Sequence, residues 1–339
     1  MSKKILIAVL ILIGLTMAAV YAMTRPRVLC FIIKSAVNAN VHATDFKVKD
    51  LIFEKIRVDS GGLVTIEGVI VKVLREKNEW RGEIPAVHFE YSPASLSSQR
   101  KMTVGFNGAH VRGKDEELND AALKAVIVFP RRQWQITGGH VRVGSLTAKG
   151  IAVTEIDARV RGERGVLTAE PWSARWAGGI LTGGLTVKKD GFKIRVDTRG
   201  VDLSAMGETI FGKMRGRLEG TIELQGTAKD IGVFKGHLNA PAGAEMRAAV
   251  LSLLLPYIPA SAQKNSLERL IAQDSNVFFD QADMNAENIR DGALQLRIML
   301  ASKKFDLDID VIVDVNMEGG FKNALERFYQ SLPRREHGF

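Results

Sequence analysis

Four aspartates near the C-terminal end, Asp306, Asp308, Asp310 and Asp314, are the residues whose spacing comes closest to chemistry. Carboxylates at i, i+2 and i+4 bind calcium when a glycine-turned loop gathers their oxygens. Here the interleaved residues are large and apolar, so the acids are held extended, about 7 Å apart along one strand, and read as a solvated strand face. The six histidines, His42, His88, His110, His140, His237 and His337, stand at no metal-ligand spacing from one another. No H-E-x-x-H, phosphate-binding glycine loop or G-x-S-x-G is present, so no cofactor and no metal is expected. The one cysteine, Cys30, excludes an intramolecular disulfide framework and a multi-cysteine metal site, and reads as a small buried hydrophobe. Lys and Arg exceed Asp and Glu by nine, but basic and acidic residues alternate without interleaved aromatics, which argues against nucleic acid. These readings together describe a chain that is not an enzyme.

The elements that carry these residues are mostly strands. Residues 305–317 alternate: Phe305, Leu307, Ile309, Val311, Val313, Val315 and Met317 on one side, and Asp306, Asp308, Asp310, Ile312, Asp314 and Asn316 on the other. Only an extended chain separates the two sets. The same alternation places Ile156 and Val160 against Glu155, Asp157 and Arg159. It places Phe192, Ile194 and Val196 against Lys193 and Arg195, and Leu218, Ile222 and Leu224 against Arg217, Glu219 and Glu223. Leu294, Leu296, Ile298 and Leu300 likewise oppose Gln295 and Arg297. Glycine pairs and Asp190-Gly191 separate the runs, and one apolar plus one polar face per strand predicts an antiparallel sheet wetted on one side.

Helical spacing is rarer. It predicts helices at Asp115–Leu123, Ala244–Ile258 and Ser266–Ile271, and a short amphipathic one with Phe321, Leu325, Phe328 and Leu332 on its apolar face. Ile5–Ala22 carries no charge and as a helix is about 27 Å long, enough for a bilayer core. It reads as an anchor, with a cleaved signal peptide ending near Val20-Tyr21-Ala22 as the rival. Pro26–Val37 suits a short amphipathic helix against the headgroups. The expected organisation is an anchor over 1–24, a membrane-proximal helix over 25–40, a β domain over 41–240, and a region over 241–339 that completes or caps the sheet.

An anchor leading into repeated alternating strands resembles the AsmA-like family of bacterial envelope proteins. The resemblance rests on Val41 to Leu51 after the anchor, on the strand pairs Leu63–Val69 and Glu83–Tyr91 leading to Gly108–Val111, and chiefly on Gly165–Gly179. That last stretch continues through Leu181–Gly184, a G-V-D-L step at Gly200–Leu203 and a G-x-L-x-G strand at Gly216–Gly220. It covers about residues 40–240, and the region after Ala240 does not match.

The resemblance implies a long, curved, groove- or taco-like antiparallel sheet behind an inner-membrane anchor at Ile5–Ala22, with the bulk of the chain in the periplasm. Its partner would be membrane lipid, held in the groove. The eighteen positions expected to line it are Ile156, Val160, Phe192, Ile194, Val196, Leu218, Ile222, Leu224, Leu294, Leu296, Ile298, Leu300, Phe305, Leu307, Ile309, Val311, Val313 and Val315. About fifteen strands at 4.8 Å would give about 70 Å of groove, short for crossing an envelope, so an envelope protein partner or a shuttle role is implied. The competing reading is a non-catalytic scaffold resembling the small N component of type II secretion, its apolar faces packed as a dry core. A membrane-bound hydrolase would need a nucleophile paired with a base, and no such pair can be drawn.

Overall fold

The computed structural model describes residues 46–59, 62–75, 78–90, 101–128, 135–148, 151–188, 190–206, 214–227, 231–288 and 293–316. The expected anchor, the membrane-proximal helix, Cys30 and the Phe321–Leu332 stretch lie outside them. Among the described residues no helix is long and apolar enough to cross a membrane. The chain divides into two compact units, Met1–Ala174 with Thr186–Lys189, and Arg175–Leu185 with Asp190–Phe339.

The first unit holds β1 (Phe46–Ile52), β2 (Lys55–Val58), β3 (Leu63–Arg75), β4 (Asn78–Glu90), β5 (Lys101–Arg112), β6 (Glu116–Val128), β7 (Gln135–Ala148) and β8 (Ile151–Glu163). From β2 to β8 each strand pairs antiparallel with the next, and β1 also pairs with β3. β9 (Val166–Trp176) and β10 (Gly179–Val187) are divided between the units. The core of the first unit is the face that carries Leu51, Ile66, Val69, Val87, Phe89, Val104 and Ile127, all buried.

Asp115–Leu123, expected as a helix, is instead the start of β6. The reason is a bulge. Asp120 takes φ 51°, and Ala109 faces Ala121 while Val111 faces Leu118, so in that step β6 carries one residue more than β5, offset by one more on β5 between Phe106 and Ala109. The extra residue spaces the inward side chains Leu118 and Ala121 by three, which imitates helical periodicity.

Similar irregularities lie side by side across the unit. Gly68 on β3 has φ 62°, Gly108 on β5 has φ 66° and Glu155 on β8 has φ 50°. The registers place Pro85 between Gly68 and Gly108, and Gly144 between Asp120 and Glu155. Four of six successive strands therefore carry a left-handed residue in one row, and inward apolar residues continue on both sides of it: Ile66 then Val69, Phe106 then Ala109. Along that row the register shifts only between β5 and β6, and there the bulge bends the strands; with the other left-handed residues in line it marks a crease across the sheet. Gly108→Ala should cost about 1–2 kcal/mol, since the backbone there is left-handed while the nearest atom, on Pro85, leaves room for a methyl. Denaturant melts would show it, and a neutral result would mean that the crease relaxes without cost.

The second unit holds β11 (Phe192–Asp202), β12 (Met214–Gly226), β13 (Ile231–Asn239), β14 (Ala244–Arg247), β15 (Asn276–Phe279), β16 (Gln281–Asn288), β17 (Ala293–Ser302) and β18 (Leu307–Asn316). All its ladders are antiparallel: β11–β12–β13–β16–β17–β18 form one run, while β14 joins the Met214 end of β12 and carries β15 on its other edge. The described residues thus form eighteen strands, where alternation predicts about fifteen. The four-residue strands β2, β14 and β15 are too short to show a period.

The expected helix over Ala244–Ile258 is corrected in part. Ala244–Arg247 is strand β14, its Ala244 and Met246 buried between partners on both edges, and only Ala248–Tyr257 coils, as a 3-10 segment. Arg247, just before the coil, offers no side-chain cap, and Pro256 sits inside the coil and ends it. The helix expected at Ser266–Ile271 is present and longer: α1 spans Ala262–Ala272. Ser261 starts it, its Oγ accepting from the Lys264 N–H at 3.2 Å. Its Leu267 is fully buried, with Leu270 and Ile271 packed beside it.

Candidate functional site

Register decides whether alternating strands share a surface, and in the second unit it aligns them. Ile194 faces Leu224 and Val196 faces Ile222. Leu224 faces Phe234, and Ile222 faces Gly236. The rows continue to β16 through Gly236–Ala286 and Leu238–Met284. They reach β17 through Ala286–Leu296 and Met284–Ile298, and β18 through Leu296–Val313 and Ile298–Val311. Residues directly opposite in an antiparallel pair point to the same face, so six strands contribute to one apolar face about 24 Å wide.

Burial divides that face. Phe192, Ile194, Val196, Leu218, Ile222, Leu224, Leu296, Ile298 and Val313 are half-buried, and Met284 keeps 36% of its surface exposed. Leu300, Leu307, Ile309 and Val311 are buried, packed against Met246, Leu251, Leu267, Val277 and Phe279 from β14, β15, the 3-10 segment and α1. Leu294 is buried in a smaller cluster with Ala286, beside Phe234 and Leu296. Phe305, expected on the final strand, lies in the turn before it and packs on the edge of the same closed core. Val315 occupies the register position opposite Leu294. The remaining two expected residues, Ile156 and Val160, are in the first unit: Val160 is buried, and Ile156 packs beside Ala109, Ala121 and Val143 near the crease.

The opposite face of these strands is charged and internally paired. Arg297 donates to both carboxylate oxygens of Asp310, at 3.0 and 2.6 Å, and Gln295 donates to Asp314 at 3.1 Å. The hydrogen bond from Arg297 holds Asp310 below the usual carboxylate range. Asp306, Asp308, Asp310 and Asp314 are all exposed, and Asp306 sits in the turn before β18 rather than on it. Among the described residues no cluster of three His, Cys, Asp or Glu could hold a metal ion.

The first unit carries a three-residue titratable group on paired strands β7 and β8. His140 Nε2 lies 2.9 and 2.8 Å from the two oxygens of Asp157, and Arg142 Nε donates to the same carboxylate at 3.2 Å. Partial burial alone would raise the Asp157 pKa, but His140 and Arg142 together carry it below its usual value. A carboxylate depressed in the fold lends stability above its unfolded pKa and loses it as pH falls through the folded pKa. His140→Ala should therefore shift the Asp157 titration upward, read by carboxyl NMR, and an unmoved titration would assign the depression to Arg142 alone. Sequence reading passed over this group, since residues 17 apart carry no joint signal until β7 and β8 pair. His88 with Thr65, His110 with Asn119 and His237 with Asn285 are similar cross-strand neighbours. Each of these histidines is held by strand pairing, His88 Nδ1 lying 3.1 Å from the Thr65 hydroxyl on an exposed strand face.

No family model matches the chain, and neither a curated protein nor a solved structure matches it. The geometry of the strand faces therefore carries the functional argument.

Proposed function

We propose that this chain is a non-catalytic envelope protein, anchored in a bacterial inner membrane by Ile5–Ala22 with its bulk in the periplasm. It holds lipid, of the phospholipid class, on apolar strand faces and moves it between membranes in support of envelope integrity, as its resemblance to the AsmA-like family implies. The observation that carries this reading is the register of β11, β12, β13, β16, β17 and β18, which joins half-buried apolar side chains into one face backed by a largely polar one. Acyl chains cover such a face at a gain of about 25 cal/mol per Å² of apolar surface removed from water. The test is mass spectrometry of organic extracts from residues 40–339 secreted to the periplasm and purified without detergent. Stoichiometric phospholipid through gel filtration is expected. A stable, monodisperse and lipid-free protein would overturn the reading.

A second reading, a scaffold of the envelope, is favoured by one observation. Leu300, Leu307, Ile309 and Val311 are packed against α1 and the 3-10 segment as an ordinary dry core. The lipid-free outcome would select it.

A further inference from the structure

We infer that the closed core beneath β17 and β18 is the floor of the lipid site in the second unit, and that it limits the length of acyl chain the face accepts. This rests on the lipid-holding reading above and adds to it a specificity determinant. Following the strands, the face runs from the Leu224–Phe234 row, through the Ile222–Gly236 row, to the row of Leu238, Met284, Ile298 and Val311. Those three rows span about 13 Å, close to the roughly 15 Å that chains of one leaflet occupy in a bilayer core. One row further, Leu300 and Ile309 are buried under Leu251 and Leu267, and no apolar surface is left to offer.

The floor is fixed rather than loosely laid. The segment that forms it leaves the sheet after β14 and returns at β15, two strands that pair with each other. At its neck the Arg247 guanidinium bonds the Asp274 carboxylate, with Nε to Oδ1 at 3.0 Å, and the Ala248 N–H donates to the Ser275 carbonyl at 2.8 Å. Ile298 is the boundary residue: it is half-buried and packs against the closed core, and its row is open at Met284 but already buried at Val311. Its side-chain volume therefore sets the depth available to a chain lying along the strands.

The experiment places a photoreactive residue at Met284, the exposed neighbour of Ile298, in the full chain in living cells, and weighs the lipid adducts by mass spectrometry. Adducts are expected with a narrower range of acyl lengths than the bulk membrane. Ile298→Trp should shift them toward shorter chains and Ile298→Ala toward longer ones. Leu238→Trp, in the same row, replaces the tryptophan variant if that protein fails to accumulate. Lipid adducts whose lengths follow the bulk membrane in every variant would overturn the floor and leave lipid binding standing. Absence of any lipid adduct in the otherwise unaltered chain would instead sink the lipid-holding reading, and the floor with it.

Discussion

Leu300→Ala should lower the unfolding free energy by about 2–5 kcal/mol, while Leu296→Ala, on the same face of the same strand, should cost well under half as much. Leu300 is buried among Met246, Leu251, Leu267 and Phe279, where truncation removes both transfer energy and packing partners and leaves a cavity. Leu296 is half-buried beside Ala286 and faces Val313, so water or a neighbouring side chain fills what it vacates. The two leucines have the same chemistry, strand and orientation, so the difference isolates whether that part of the face is closed or open. Urea melts of the lipid-free protein measure it. Equal, large losses would mean that Leu296 also sits in a dry core, and the scaffold reading would gain.

The strands were legible because alternation needs only local sequence. β18 and β17 emerge from it to within two residues at each end, with most of the outward acids and inward aliphatics, though Phe305 and Asp306 fall in the turn before β18. What local sequence does not hold is register. Nothing in Ile222 or Leu296 says that Gly236 and Ala286 will stand between them, yet that alignment makes a face out of separate stripes. Bulges misled for a related reason: the added residue at Asp120 shifts the period from two to three for one step, and a short window cannot tell that from a helical turn. The split between open and closed surface is a tertiary property as well. Ile309 and Val313 read alike in the chain, and only the α1 and 3-10 segment that covers one of them sets them apart.

Period two supplies its own control for the decisive functional experiment, because Ile312 and Val313 are neighbours on opposite faces of β18. Val313 is half-buried opposite Leu296, whereas Ile312 stands 54% exposed opposite Arg297. Val313→Asp should abolish lipid retention without unfolding the protein. In the lipid-free state a carboxylate at a half-buried position still reaches water, so the fold bears little of the burden. Under an acyl chain the same carboxylate would be stripped of water with no cation opposite, since Leu296 and Val311 are its apolar neighbours. Even about 3 kcal/mol of that desolvation lowers affinity roughly a hundredfold. Ile312→Asp places the same charge one residue away on the charged face, where Arg297 is its cross-strand partner, and should leave both lipid and stability unchanged. Extracted lipid per protein, circular dichroism and melting temperature read the three proteins side by side. Loss of lipid in Val313→Asp alone, with native dichroism, is the expected result. If Val313→Asp unfolds while Ile312→Asp does not, the face around Val313 is a dry core, and the chain is a scaffold rather than a lipid carrier.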